Sequence, residues 1–156
     1  MHVYEITFSP TGGTKRAAQL LTQAWGGNCS EVDLTDSRRA FEPDDLAVIA
    51  VPSYGGRVPA LAAERLLRMR GNAAKAVLVC VYGNRAYEDT LVELQDTARQ
   101  AGFRPVAGVA AVAEHSIARQ YASGRPDEQD RKVLQRFAGQ IQAKLSRGDG
   151  TDPALP

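Results

Sequence analysis

Two short stretches of this 156-residue chain are apolar throughout, Leu46 to Val51 (Leu-Ala-Val-Ile-Ala-Val) and Ala76 to Tyr82 (Ala-Val-Leu-Val-Cys-Val-Tyr). They are too short for ordinary buried helices and rich in β-branched residues, so they read as strands covered on both faces. A strand of that kind belongs to a parallel sheet. Parallel neighbours need long crossover connections, usually helical. The rest of the chain should therefore alternate strand and helix patterns, and it does.

Val3 to Phe8 reads as a first strand and Lys15 to Trp25 as a helix, with Ala17, Ala18, Leu21 and Ala24 on one face and Gly26-Gly27-Asn28 as its stop. Ser30 to Leu34 alternates as a second strand; Thr35 to Asp45 is polar and irregular, with room for one helical turn. After the first apolar run a helix is predicted over Ala60 to Arg70, with Leu61, Leu66, Leu67 and Met69 available for burial and Gly71-Asn72 ending it. After the second comes a helix from about Tyr87 to Ala101, stopped by Gly102, then a strand over Arg104 to Val112. Glu114 to Arg125 is a longer loop. Pro126 suits the first turn of a last helix running to Leu145, on which Val133, Leu134, Phe137, Ile141 and Leu145 recur at helical spacing. The order β-α-β-β-α-β-α-β-α predicts one α/β domain over residues 1–147 with right-handed crossovers, and a disordered tail over 148–156 that is rich in Gly, Asp and Pro.

Composition narrows the function classes. Nineteen Lys and Arg against 18 Asp and Glu give a net charge of +1, so a strongly cationic nucleic-acid binder is not expected. No apolar run approaches the roughly 20 residues that cross a membrane, and the N-terminus lacks the basic and apolar regions of a secretory signal. The two cysteines, Cys29 and Cys80, form neither a disulfide framework nor a metal-ligand set, and a reducing cytoplasm is the expected location.

In sheets of this type ligands bind beyond the carboxyl ends of the strands. Three glycine-bearing loops stand there, at residues 9–14, 52–59 and 82–88. The first, Ser9-Pro10-Thr11-Gly12-Gly13-Thr14, offers three hydroxyls and two residues without a Cβ at the start of a helix. Helix N-terminal N–H groups and hydroxyls converging on one point suit a phosphate. By composition alone the loop reads equally as a helix cap with a turn. Its position after the first strand, beside two similar loops, favours the phosphate. Neither a Walker loop nor G-x-G-x-x-G is present, so a mononucleotide is expected rather than a dinucleotide.

The strand–Ser-Pro-Thr-Gly-Gly-Thr–helix unit resembles the flavodoxin phosphate loop, T/S-x-T-G-x-T, and the likeness extends over about residues 2–145. The resemblance implies a doubly wound, five-stranded parallel sheet of order 2-1-3-4-5 with helices on both faces. Flavodoxin is itself a standard example of that order, with FMN at the switch point. It implies that Ser9, Thr11, Gly12, Gly13 and Thr14 hold the FMN phosphate. It also implies that Pro52, Ser53, Tyr54, Gly55, Gly56, Arg57 and Val58 form one flavin loop, with Tyr54 against one ring face. The Gly55-Gly56 peptide would turn its carbonyl toward flavin N5 on one-electron reduction. Tyr82, Gly83, Asn84, Arg85 and Tyr87 form the other flavin loop, with Tyr87 against the second face and backbone N–H groups on the pyrimidine edge. Read without the resemblance, Tyr54 is an exposed anchor before a helix and Tyr87 packs on the sheet.

Carriers of this family are acidic around the flavin, whereas here Arg57 and Arg85 stand in the two flavin loops. Positive charge favours the anionic hydroquinone, and a 100 mV shift of a one-electron couple is about 2.3 kcal/mol, within reach of one or two nearby charges. A less negative potential for the second electron is therefore expected. Tyr-Gly-Asn-Arg-Ala-Tyr-Glu-Asp and Ala-Glu-His-Ser (residues 82–89 and 113–116) resemble more closely the flavodoxin module of flavodoxin–ferredoxin fusions, without the cluster motif C-x₂-C-x₂-C-x₃-C. Electrons would then come from another protein: a reductase or ferredoxin-type donor on one side, an acceptor enzyme on the other, with no nucleic acid or membrane partner.

Glu114, His115 and Ser116 invite a hydrolase reading, but no G-x-S-x-G elbow exists and consecutive residues rarely face one another. No catalytic residue and no metal ligand is assigned. Cys80, inside a strand, reads as a small buried hydrophobe, and Cys29 has no basic neighbour to activate it. The reading that follows is an FMN-binding electron-transfer protein. The alternative is an FMN-dependent oxidoreductase acting on a quinone or similar small acceptor.

Overall fold

The two all-apolar runs form the middle of a parallel sheet. A computed structural model of the chain describes residues 3–8, 14, 18–19, 22, 29–33, 40–53, 58–82, 90–112, 136, 139–141 and 143. Over these the strands are β1 Val3–Thr7, β2 Cys29–Asp33, β3 Leu46–Pro52, β4 Lys75–Tyr82 and β5 Arg104–Val112, with helices α1 Ala60–Leu66 and α2 Thr90–Gln100. Residues 14, 18, 19, 22, 136, 139–141 and 143 are also helical. The sheet order is β2-β1-β3-β4-β5 and every neighbouring pair is parallel. This is the order expected from the resemblance.

Burial follows the period-two alternation of a strand. Ala47, Ile49 and Val51 of β3 and Ala76, Leu78 and Cys80 of β4 share one core with Ala62 and Leu66 of α1 and Leu91, Leu94 and Ala98 of α2. The alternate residues Leu46, Val48, Ala50, Val77, Val79 and Val81 form the opposite core with the helical Ala18 and Ile141. All seven residues of β3 are buried, so helical residues cover both faces and the sheet is doubly wound. The edges carry the expected blunting devices. β2 exposes Glu31, whose carboxylate accepts a 2.8 Å hydrogen bond from Gln19. β5 has Pro105 and a register irregularity, its pairing with β4 passing from Pro105 to Ala107.

The amino-terminal edge of the sheet is closed by backbone. Phe103 N–H donates to Ala98 O and Gly102 N–H to Arg99 O, each at 3.0 Å. This is the paired Schellman geometry, with Gly102 at φ +96° in the left-handed position that ends α2. Gly71 lies against that turn: a Cβ on it would stand 2.5 Å from Phe103 N and 2.6 Å from Gly102 C, so no side chain fits. Phe41 fills the floor beneath, its ring centroid 5.1 Å from Tyr4 and 5.3 Å from Phe103.

The helix predicted over Ala60 to Arg70 is shorter than its pattern. It ends at Leu66, and the chain tightens into i−3 bonds, Arg68 N–H to Arg65 O and Met69 N–H to Leu66 O. The cause is a long-range competitor: Arg70 pairs with Ala40, and its carbonyl accepts from Phe41 N–H at 2.9 Å. The first strand ends one residue early, at Thr7, although Phe8 N–H still reaches Ala50 O at 3.2 Å. Among the described residues of the irregular segment, a single turn is closed by Asp45 N–H to Glu42 O and by Glu42 N–H to Asp45 Oδ2, each at 2.9 Å.

Candidate functional site

The carboxyl ends of β1, β3 and β4 lie side by side, and the three glycine-bearing loops leave from these ends. β1 is the switch point: the chain passes from it to β2 on one side and returns to β3 on the other. The crevice between the ends of β1 and β3 is where sheets of this winding receive ligands. Thr14, the last residue of the first loop, is helical and buried.

Three side chains meet beneath the ends of β3 and β4. Ser53 follows β3 on the α2 face and is buried, as is Thr90 at the start of α2; their hydroxyl oxygens are 2.7 Å apart. Cys80, on the same face of β4, lies within hydrogen-bonding reach of both hydroxyls, and burial pushes its thiol up from 9.0 to about 12, against a smaller downward pull from Thr90 and then Ser53. The physical cause is desolvation of the thiolate in an apolar core. A thiol so held is a packed, neutral group rather than a nucleophile, as the sequence implied for a cysteine inside a strand. Ser53 is fixed through its backbone as well, its N–H donating to Val81 O at 2.9 Å.

The far end of the same loop is fixed from the same helix. Val58 is buried and its N–H donates to Glu93 Oε1 at 2.8 Å. Without an acceptor a buried N–H costs about 1–3 kcal/mol. The carboxylate also suits the place, because α1 begins two residues later with no side-chain cap bond and no acid in its first turn, and negative charge near a helix start is favourable. Thr90 and Glu93, one helical step apart on α2, therefore hold Ser53 and Val58, the two described residues that flank positions 54–57.

Neither Thr90 nor Glu93 was singled out from the sequence. A signal for them exists: Thr90-Leu91-Val92-Glu93 has the spacing of a capping box. In the fold both side chains also reach across to the chain that follows β3. Of the residues assigned to the phosphate and flavin loops, Thr14, Pro52, Ser53 and Val58 are described, together with the backbone of Tyr82. Ser53 and Val58 turn their side chains inward, the hydroxyl to Thr90 and the isopropyl group to the core. Ser9, Thr11, Gly12, Gly13, Tyr54, Gly55, Gly56, Arg57, Gly83, Asn84, Arg85 and Tyr87 lie outside the described residues, as do His115 and the predicted tail. Among the described residues no group of three or more His, Cys, Asp or Glu could hold a metal ion. The buried Glu5 accepts a hydrogen bond from Thr22 and faces the opposite core, midway along β1, so it is not part of this edge.

No protein-family model matches the chain, and no curated protein matches it. Solved structures do. A flavodoxin from Streptococcus pneumoniae TIGR4 aligns with a TM-score of 0.61 at 19% identity, over 92% of this chain and 99% of its own. The azoreductase AzrA aligns at 0.58 and 10% identity, over 92% and 100%. Rubredoxin:oxygen oxidoreductase from Desulfovibrio gigas aligns at 0.59 and 14% identity, over 93% of this chain but 37% of its own. The chain has the flavodoxin-like fold.

Proposed function

We propose that this chain binds FMN at the crevice between β1 and β3 and carries electrons between protein partners, a reductase or ferredoxin-type donor and an acceptor enzyme. The observation that carries the reading is the coincidence of a 2-1-3-4-5 parallel sheet with a hydroxyl- and glycine-rich loop leaving its switch-point strand. The residues present suit FMN. Ser9, Thr11 and Thr14 supply hydroxyl donors, Gly12 and Gly13 allow close backbone approach, and the following helix adds N–H groups for a phosphate dianion. Tyr54 and Tyr87 supply large faces for an apolar ring system. Bound FMN would contribute one- and two-electron redox chemistry, and the protein would contribute orientation, shielding from water and charge.

Such a role needs no general acid or nucleophile, and Cys80 is held as a neutral thiol. Among the described residues no helix is long and apolar enough to cross a membrane.

The alternative, an FMN-dependent oxidoreductase acting on a quinone or similar acceptor, draws on the likeness to an azoreductase. Anaerobic titration with FMN followed by stepwise reduction separates the two. A carrier accumulates the one-electron form and oxidises NAD(P)H slowly in the presence of a quinone. An oxidoreductase takes both electrons together and turns over. Absence of flavin binding would refute both. The phosphate assignment has its own test: Thr11→Ala should weaken FMN more than riboflavin, and equal losses would overturn it.

A further inference from the structure

Both flanks of positions 54–57 are held by one turn of α2. Ser53 Oγ lies 2.7 Å from Thr90 Oγ1 and Val58 N–H lies 2.8 Å from Glu93 Oε1. Thr90 and Glu93 are i and i+3, so their Cβ atoms are roughly 5–6 Å apart on one helix face. The same helix begins directly after residues 83–89, and Ser53 N–H is tied to Val81 O on the strand that precedes them. The described residues bordering the two segments assigned to the flavin ring therefore meet on one base, the end of β4 and the first turn of α2.

We infer that Glu93 and Thr90 are positioning residues of the ring-binding site, a clasp that fixes Ser53 and Val58, the two ends from which positions 54–57 leave, before any ligand arrives. The inference rests on the FMN reading above. Neither residue need touch the flavin. Their effect is preorganisation: with both ends of a binding segment already fixed, less order has to be imposed when the ring enters. Glu93 acts as a hydrogen-bond acceptor. Glutamine can keep that role, whereas alanine removes it and leaves the Val58 N–H without it.

The test uses Glu93→Ala, Glu93→Gln and Thr90→Val in the full chain. In flavin-free protein, amide exchange at Val58 should accelerate about tenfold or more in Glu93→Ala and stay near wild type in Glu93→Gln. With flavin, FMN and riboflavin should both weaken by about tenfold in Glu93→Ala, because the clasp serves the ring and not the phosphate. Both midpoint potentials should move, and Glu93→Gln should restore affinity and potentials together. Thr90→Val, which keeps the shape and removes the hydroxyl, should weaken both ligands in the same direction.

Faster Val58 exchange in Glu93→Ala with unchanged affinity and potentials would overturn the positioning role while leaving the FMN reading intact. Unchanged exchange would overturn the clasp itself. A wild-type protein that takes up neither FMN nor riboflavin would overturn the FMN reading, and this inference with it.

Discussion

Cys80 makes the stability of this protein depend on alkaline pH in a way that one substitution should cancel. Its thiol is held at about 12 in the fold against 9.0 in the open chain. Below pH 9 both states keep the proton and the thiol has no pH effect. Between 9 and 12 the unfolded chain loses the proton while the folded one keeps it, so the unfolded state binds fewer protons and stability falls as pH rises, by about 1.4 kcal/mol per pH unit. At pH 10.5 this reaches about 2 kcal/mol. Cys80→Ala removes the titration and leaves Ser53 and Thr90 bonded to each other. It should cost about 1 kcal/mol at pH 7.5 through lost packing. At pH 10.5 it should be more stable than the wild type by about 1 kcal/mol. Urea unfolding of both proteins at the two pH values, with reductant present, measures the difference. Other alkaline titrations, Cys29 included, are common to both and cancel. A stability difference that is the same at pH 7.5 and 10.5 would refute the desolvated-thiol argument, and so would rapid alkylation of Cys80 by iodoacetamide in the native protein at pH 8.

Three further outcomes follow from particular residues. Asn72 and Ala73 both have positive φ, 51° and 68°, in the turn closed by Ala74 N–H to Gly71 O. Ala73→Gly should therefore raise stability by about 0.5–1 kcal/mol in urea unfolding, and a loss would contradict the strain. Gly71→Ala drives a Cβ into the backbone of Gly102 and Phe103 and should cost about 3 kcal/mol, seen as a lowered Tm; a cost under about 0.5 kcal/mol would mean that the close approach is absent in solution. Arg57→Glu should make the potential for the second electron more negative by about 100 mV in spectroelectrochemistry, and an unchanged value would place Arg57 away from the flavin.

The sheet was legible because its central strands have no polar face to hide. Leu46 to Val51 and Ala76 to Tyr82 could be nothing but buried strands once the intervening helical patterns were seen, and the strand that follows Gly102 runs over Arg104–Val112 as its pattern predicts. The order of the strands was not in the periodicity; it came with the phosphate-loop resemblance. The missed boundary at Leu66 has a different origin. Residues 67–70 are apolar enough to continue a helix, but the Arg70 carbonyl is taken by Phe41, nearly thirty positions earlier in the chain. No local window contains that competition. The same holds for Ala73: its left-handed backbone goes with an N–H that donates to Gly102 O at 2.8 Å, nearly thirty positions later in the chain, and not with any preference of alanine.

The candidate site divides along the same line. Residues with unusual chemistry or conformational freedom, such as the threonines and glycines of 9–14 and the tyrosines and arginines of the other loops, announce themselves by type. Thr90 and Glu93 do not, since a threonine and a glutamate at a helix start read as an ordinary cap. What distinguishes them is the direction of their hydrogen bonds, toward Ser53 and Val58. That direction exists only after β3, β4 and α2 have been brought together by their apolar faces. The cores that assemble the sheet thus also decide which polar side chains are free to organise its carboxyl edge. Cys80 shows the coupling in one residue: its side chain belongs to the same apolar core as Leu78 and Leu94, and lies beside the two hydroxyls that fix one end of the loop. A change that loosens this core near Thr90 should therefore be felt first at the carboxyl edge of the sheet, before it is felt in the fold.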